Sequence, residues 1–460
     1  MERLDDLLSR SAGGLAVVYG RRRIGKTRLL LEWRSKHGGA YIVADQSSPD
    51  VQRRYIAEAI AAHLPGFNEV EYPDWAALLG GLAREARHAG WHGPVVIDEL
   101  PYLVSSSPEL PSILQRWIDH DARQAGLVVV LAGSSQRMMQ GLVLSASSPL
   151  YGRAREIMHL GPLGFELVAQ AFGVARSCKA VECYAAWGGV PRYWELATET
   201  RGSTSERFDR LVLDPLGPLH QEPSRLLVEE HPPAIEVRPV LDAIGMGANR
   251  VSEIAARIGH RATSLSRPLE RIVGMGLVRR EVPFGELEKK SRRSVYRIAD
   301  PFIRLWFRAV APNRAFLATA SSRDRLALLS KYWPEHLGFV WEEICRARIP
   351  VLGSASELAK EGPWLPAGRW WRGNAPEWDI VSEDRAHERI LLGEAKWSAE
   401  PFRQRAIASA VKALRDKPLP RLPERFSGHK PVRALFVPET LDAQPRSSEG
   451  IHIVTCDDLS

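Results

Sequence analysis

Eight consecutive residues, Gly20, Arg21, Arg22, Arg23, Ile24, Gly25, Lys26 and Thr27, constrain this chain more than any other stretch of it. They fit the spacing GxxxxGK[ST], follow the apolar run LAVVY directly and open the periodic segment KTRLLLEW. A buried strand must therefore turn into a helix inside the motif. Its glycines let successive backbone N–H groups curl around an anion, and the start of the helix adds positive potential at the same point. The arrangement predicts a phosphate cradle at residues 20–27, with the Lys26 ammonium on the β- and γ-phosphates of ATP and the Thr27 hydroxyl on Mg2+. A strand-to-helix turn with no ligand is the bland alternative, and the flanking strand and helix patterns argue against it.

A second element, VVIDEL, is an apolar strand ending in Asp98 and Glu99. Parallel sheets present their ligands at the carboxyl ends of their strands. Asp98 is thus expected to join Thr27 in the shell of the Mg2+ ion, and Glu99 to polarise the attacking water. By itself an acidic pair there also serves as a helix cap. The strand VVVLAGSS ends in Ser134 and Ser135, either of which can sense the γ-phosphate or the water, or simply cap a turn. Buried-strand runs at 15–19, 41–44, 95–97 and 128–132 alternate with helix-like stretches, the signature of a parallel sheet. Residues 1–162 read as an α/β domain.

A chain of 460 residues exceeds what one hydrophobic core usually spans. Residues 163–234 turn helical, broken by GGVPRYWE and the loop DPLGPLHQEPS, and read as a helical lid and connector. Residues 235–312 run helix, turn, helix and two strand-like segments around GELEKKSRRS, the order of a winged helix-turn-helix. A last domain occupies 313–460. Acids are scattered through the first residues and no later apolar run is long enough for a membrane span, so a cytoplasmic protein with no membrane partner is expected. The four cysteines form no CxxC pair and the thirteen histidines no HExxH cluster, which points to reduced, buried thiols.

The net charge is +7, yet residues 250–308 alone hold fourteen Lys or Arg against six Asp or Glu, an excess of eight. So concentrated a basic region favours a nucleic acid, with a solvated basic surface as the alternative. Arg267 and Arg271 stand four apart on the second predicted helix and share a face. In a winged domain that face enters the major groove of double-stranded DNA, and the wing tip with Lys289, Lys290, Arg292 and Arg293 lies on phosphates. The same architecture can act only as a hinge between domains, and nothing in these residues separates DNA from RNA.

The last domain holds EWDIV and, after a hairpin-like gap, RILLGEAKW. Side chains alternate along a strand, so Glu394 and Lys396 point to one face, where Asp379 on the neighbouring strand can share Mg2+ with Glu394. Lys396 would position or deprotonate water, and Glu342 or Glu343 in FVWEEI would support the metal. The ExK triplet alone carries little weight, since Glu288 and Lys290 form another in a charged loop. A surface ion pair on a two-stranded ribbon is the alternative.

The segments GRRRIGKTRLL, VVIDELPYL, LAGSSQRMM, SPLYGR and GGVPRYWE together resemble the archaeal-type P-loop ATPases related to the AAA+ and STAND groups, many of which carry a C-terminal endonuclease-like domain of unknown function. The resemblance implies a restriction-endonuclease-like fold of the PD-(D/E)xK kind for 313–460. It also implies an arginine, Arg153 or Arg155 here, that reaches a γ-phosphate in cis or from a neighbouring subunit. The fold class expected is therefore α/β: a P-loop parallel sheet with a helical lid, then a winged helix-turn-helix, then a nuclease-like α/β domain. The function expected is an ATPase whose nucleotide state controls a DNA-binding and DNA-cutting half. Its rival is a STAND-like switch in which an inactive nuclease fold scaffolds a second copy or another protein.

Overall fold

The computed structural model describes residues 1–10, 12–146, 148–230, 237–289, 291–353, 356–441 and 447–459. The chain divides into two compact units, Met1–Pro162 and Leu163–Ser460.

In the first unit the apolar runs become strands β1 (Gly14–Tyr19), β2 (Ala40–Val43), β3 (Val95–Asp98) and β4 (Val128–Gly133), joined by β5 (Ala154–His159). All five are parallel, in the order β2-β3-β4-β1-β5. Both faces of this sheet are covered. Leu15, Val17 and Tyr19 join one apolar cluster with Ile97 and Leu131, while Ala16 and Val18 join the other with Val96 and Val130. Burial on both faces is why these strands read as unbroken apolar runs. β5, which the apolar pattern missed, is an edge strand with the sequence AREIMH, and an edge open to solvent tolerates its charges. The strand order has a direct consequence for the site: β4 lies between β1 and β3, so the carboxyl ends of all three are neighbours. Helix α1 (Lys26–His37) follows β1 and α2 (Gln136–Val143) follows β4.

The second unit opens with helices, among them Cys178–Trp187, whose Trp187 is fully buried. It continues with α3 (Arg238–Gly245), α4 (Val251–Ile258) and α5 (Ser266–Gly274), then the antiparallel hairpin β6 (Val278–Glu281) and β7 (Val295–Ile298). α5 buries Leu269 and Ile272 and leaves Arg267 exposed. The long helix α6 (Ser322–Arg348) leads into a six-stranded mixed sheet. Its strands are β8 (Gly368–Trp370), β9 (Trp378–Glu383), β10 (Arg389–Ala395), β11 (Lys430–Phe436), β12 (Ser447–Ser448) and β13 (Ile451–Val454), in the order β12-β13-β11-β10-β9-β8. β8, β9 and β10 run antiparallel, and β10, β11 and β13 run parallel. Helix α7 (Gln404–Asp416) connects β10 to β11 and buries Ile407, Val411 and Leu414. No helix among the described residues is long and apolar enough to cross a membrane.

The hairpin β6–β7 does not stand free. Beyond β6, the Phe284 N–H donates to the Arg369 carbonyl at 2.7 Å, and the Phe284 ring lies 5.5 Å from that of Phe426. On the hairpin itself, Arg279 pairs with Glu281 and with Glu343 of α6.

Candidate functional site

β1 ends at Tyr19, and the chain reaches α1 through six residues in which glycine is required twice. Gly25, just before Lys26, has φ of 96°, a left-handed conformation that costs an L side chain energy. At Gly20 a Cβ would sit 2.3 Å from the Leu160 carbonyl oxygen. No side chain caps the first turn of α1, which leaves its N–H groups for a ligand of opposite sign. Lys26 is buried, and its Nζ donates to the carbonyls of Gly20 at 2.8 Å and Arg21 at 3.2 Å, so the ammonium lies across the loop. Within the cradle Arg21 and Ile24 are buried, Arg22 donates to the Tyr102 hydroxyl at 3.3 Å, and Arg23 takes a left-handed φ of 65°.

The neighbouring strand end supplies the acids. Thr27 Oγ1 donates to Asp98 Oδ2 at 2.8 Å across 71 residues of sequence, the Tyr41 hydroxyl donates to the same oxygen at 2.6 Å, and the Glu99 N–H donates to Oδ1 at 2.9 Å. Tyr41, from β2, was not anticipated. In the register of β2 on β3 it stands opposite Val96, two residues short of Asp98, so only the strand order reveals it. Burial, and then Asp98 beside it, push the Tyr41 phenol above its ordinary range. Glu99 is held in a left-handed conformation, φ 57° and ψ 40°, and such strain collects where a side chain must be aimed. Its Oε2 accepts from Ser134 N at 3.2 Å and Ser134 Oγ at 2.8 Å. The two serines divide the roles offered to them: Ser134 binds Glu99, and Ser135 caps α2 through the Met138 N–H. An uncapped helix start, a loop with no room for a side chain at Gly20, and the Thr27–Asp98 pair fit a nucleoside triphosphate with Mg2+, which Thr27 and Asp98 would hold.

Arg153 and Arg155 stand elsewhere. Both lie where β5 begins, and Arg153 lines a cleft with Gly14 and Leu127, at the amino ends of β1 and β4. The six residues of β1 separate that edge from the P-loop by about 20 Å at ~3.3 Å per residue. Arg153 is further tied to Asp119 by contacts of 2.9 and 3.0 Å. The expectation of an arginine reaching its own γ-phosphate in cis is therefore corrected for both residues.

Residues 1–196 match a family model described as an ATPase domain predominantly from Archaea, and residues 306–409 match one described as archaeal and bacterial proteins of unknown function. Residues 1–196 are thus an ATPase domain of the archaeal P-loop type. The chain is 26% identical over 397 residues to an uncharacterized protein of Methanocaldococcus jannaschii, covering 86% of each chain. Among solved structures it is similar in fold to a Walker-type ATPase of Pyrococcus abyssi, with a TM-score of 0.52 at 19% identity, covering 67% of this chain and 94% of that one. The cradle and acids above lie within the residues that match the ATPase domain.

In the second unit of this ATPase, Asp379 on β9 and Glu394 on β10 occupy adjacent strands, and Asp379 Oδ2 accepts from the Ala395 N–H at 3.1 Å. Burial, then Glu342, then Glu394 push the Asp379 carboxyl up to about 6. Of the two helical acids, Glu342 is the one beside Asp379; its neighbour Arg346 donates to the Asp379 carbonyl at 2.9 Å and stands 3.5 Å from Glu342. Glu343 is committed to Arg279 and Arg304 instead. Lys396 contacts Glu394 Oε1 at 2.8 Å, in keeping with a shared strand face, and Lys417 contacts Oε2 at 2.5 Å. Lys417, which also lies 4.6 Å from the Trp378 ring, follows α7 and has no sequence signal linking it to the ExK triplet. Among the described residues no three His, Cys, Asp or Glu side chains gather into a metal-holding group.

The basic segment is only partly a surface. Arg267, Lys289 and Arg292 are exposed, Arg271 is half-buried, Arg293 pairs with Glu286 at 3.0 Å, and Lys290 lies outside the described residues. Arg279, Arg297 and Arg304 turn inward to Glu281 and Glu343, so part of the excess charge counted over 250–308 is spent inside the unit.

Proposed function

We propose that this ATPase uses its nucleotide state to control a second unit that binds and cuts double-stranded DNA. In the ATP cycle, Lys26 and the first N–H groups of α1 hold the phosphates, Thr27 and Asp98 would hold Mg2+, and Glu99, aimed by Ser134, takes the proton of the attacking water. Mg2+, when bound, neutralises charge on the phosphates. Arg153, a strand length from its own cradle, can serve only the γ-phosphate of a neighbouring subunit.

The observation that carries the DNA half is the placement of Asp379, Glu394 and Lys396 on adjacent strands, within a succession of α6, three antiparallel strands, α7 and β11. That succession supports a PD-(D/E)xK fold, and α3, α4, α5 and the β6–β7 hairpin support a winged helix-turn-helix. Arg267 and Arg271 on α5 would face the major groove, and Lys289, Lys290, Arg292 and Arg293 the phosphates. In this reading Asp379 and Glu394 would hold one Mg2+ and Lys396 would position water.

The test is cleavage of plasmid and single-stranded DNA by the purified full chain with Mg2+ or Mn2+, with and without ATP. Asp379→Ala, Glu394→Ala and Lys396→Ala should each abolish cleavage while ATP hydrolysis persists. Duplex affinity should fall steeply with salt, and Arg292→Glu with Arg293→Glu should flatten that slope by about 1 per lost phosphate contact. One observation favours a second reading: both oxygens of Glu394 already contact lysines, as they would in an inactive scaffold of a STAND-like switch. Wild-type protein that cleaves nothing with either metal under any nucleotide condition would establish that alternative.

A further inference from the structure

A cavity of about 350 Å³ in the second unit opens between the end of α3, strand β7 and helix α6. Arg297, Arg304 and Arg308 line it, and the acid lining it is Glu335, which is largely exposed and stands 3.2 Å from Arg308. Behind this wall lies a network of paired charges. Arg297 and Arg304 belong to a network with Arg279, Arg346 and Arg369, and the carboxylates within it are Glu281, Glu342 and Glu343. Five guanidiniums thus pair with three inner carboxylates, with Glu377 reaching Arg369 from solvent and Asp379 lying beyond Glu342, away from the cavity lining.

Two further details mark the cavity as a receptor for an anion. The Nε of Arg304 is buried without a hydrogen-bond acceptor among the described residues, and that of Arg297, also without a hydrogen bond, stands 3.5 Å from Glu281 Oε2, so both guanidiniums keep donor capacity that their carboxylate partners do not use. Burial, then Arg369, lower the Arg297 guanidinium to about 10, the direction expected where positive charge lacks its counterpart. The guanidiniums are also held in place, Arg297 4.6 Å and Arg304 5.8 Å from the Phe339 ring, and Arg308 5.9 Å from that of Tyr332. Gly247 leaves the space beside Arg308 open, since a Cβ there would approach Nη1 to 3.4 Å. His336 adds no cation, because burial and then Arg304 push its imidazole down to about 3.

We propose that this cavity is a second ligand site, for a small organic phosphate whose phosphate sits among Arg297, Arg304 and Arg308 and whose ring or apolar body rests on Ile244, Tyr296 and Ile298. Convergent guanidiniums suit a terminal phosphate dianion, which can accept from several forks at once, better than the single charge of a nucleic-acid diester. The volume is that of a compact ligand pocket and leaves room beyond a bare phosphate. Bound there, the ligand displaces Glu335 from Arg308 and bridges α3, β7 and α6. The proposal stands apart from the DNA and nuclease readings.

The experiment is calorimetric titration of full-length Lys26→Ala protein, in which the P-loop no longer holds nucleotide, with AMP and with inorganic phosphate as probes. AMP should bind at one site, about tenfold or more tighter than phosphate, and Arg308→Gln in the same background should weaken it by about tenfold, the loss of one charge-assisted contact. Arg308 is half-exposed and outside the buried network, so this variant leaves the fold intact. Tyr296→Ala should weaken AMP and leave phosphate unchanged. Absence of AMP binding at millimolar concentration, unchanged binding by Arg308→Gln, equal affinity for AMP and phosphate, or full displacement of AMP by a duplex oligonucleotide would each overturn the proposal.

Discussion

Asp98 and Glu394 are both carboxylates on strands near the carboxyl ends of β3 and β10, and they are held in opposite ways. Asp98 is buried, and its contacts are two hydroxyls and a backbone N–H, from Thr27, Tyr41 and Glu99. Glu394 contacts two ammonium groups, from Lys396 and Lys417. Neutral donors leave the charge of a carboxylate intact, so a cation arriving at Asp98 replaces hydrogen bonds by an ion contact and gains energy. At Glu394 the cation must first compete with two charges already in place. In the proposed function a cation would therefore meet less competition at the first carboxylate than at the second. Glu343 carries the second condition to its limit: burial pushes its carboxyl up, Arg279 and Arg304 outweigh that, and the group ends at about 2.

Four outcomes would break or sharpen this contrast. The largest is expected at the P-loop, where Lys26→Ala should lower ATP turnover by about 10³-fold and weaken binding, as removal of a group that stabilises developing charge does. Wild-type ATP affinity in a filter-binding assay of that variant would break the assignment. Glu343→Gln should destabilise the second unit by about 3 kcal/mol, because Arg279 and Arg304 stay buried without their charge partner. The folded value lies below the ordinary 4.5, so the stability from Glu343 is full above pH 4.5 and is lost as pH falls towards 2. Denaturant midpoints across that window should fall more steeply for wild type than for the variant. Glu99→Gln should slow hydrolysis by about 10²-fold while ATP binds nearly as before, since the phosphate and Mg2+ contacts remain. Equal turnover in stopped-flow assays would move the base elsewhere. The smallest effect is expected for Lys417→Met, which strips one ammonium from Glu394 and should raise Mn2+ affinity of the second unit by about threefold in titrations followed by electron paramagnetic resonance, a change under 1 kcal/mol. No change there would mean that Lys417 does not guard the carboxylate.

Local pattern carried the reader furthest where chemistry is local. GRRRIGKT places the cradle, Lys26 and Thr27 within one turn of chain, and the three inner strands β1, β3 and β4 of the first sheet are apolar runs because both their faces are covered. The pairing of Glu394 with Lys396 follows from the two-residue period of a strand. β5 escaped because an edge strand need not be apolar on both sides.

Long-range geometry was decided by the tertiary structure alone. Strand order β2-β3-β4-β1-β5 is a property of how the parallel strands pack, and it brings Ser134 to Glu99 and Tyr41 to Asp98 while sending Arg153 to the far edge. The composition of residues 250–308 counts charges but not the directions in which they point. Folding turned Arg279, Arg297 and Arg304 inward to acids, one of them more than thirty residues beyond the segment, and left Arg267 and Arg292 at the surface. Motif spacing determines which atoms a short stretch of backbone can bring together; the partners of a charged side chain depend on which elements bury it, and only the packed chain settles that.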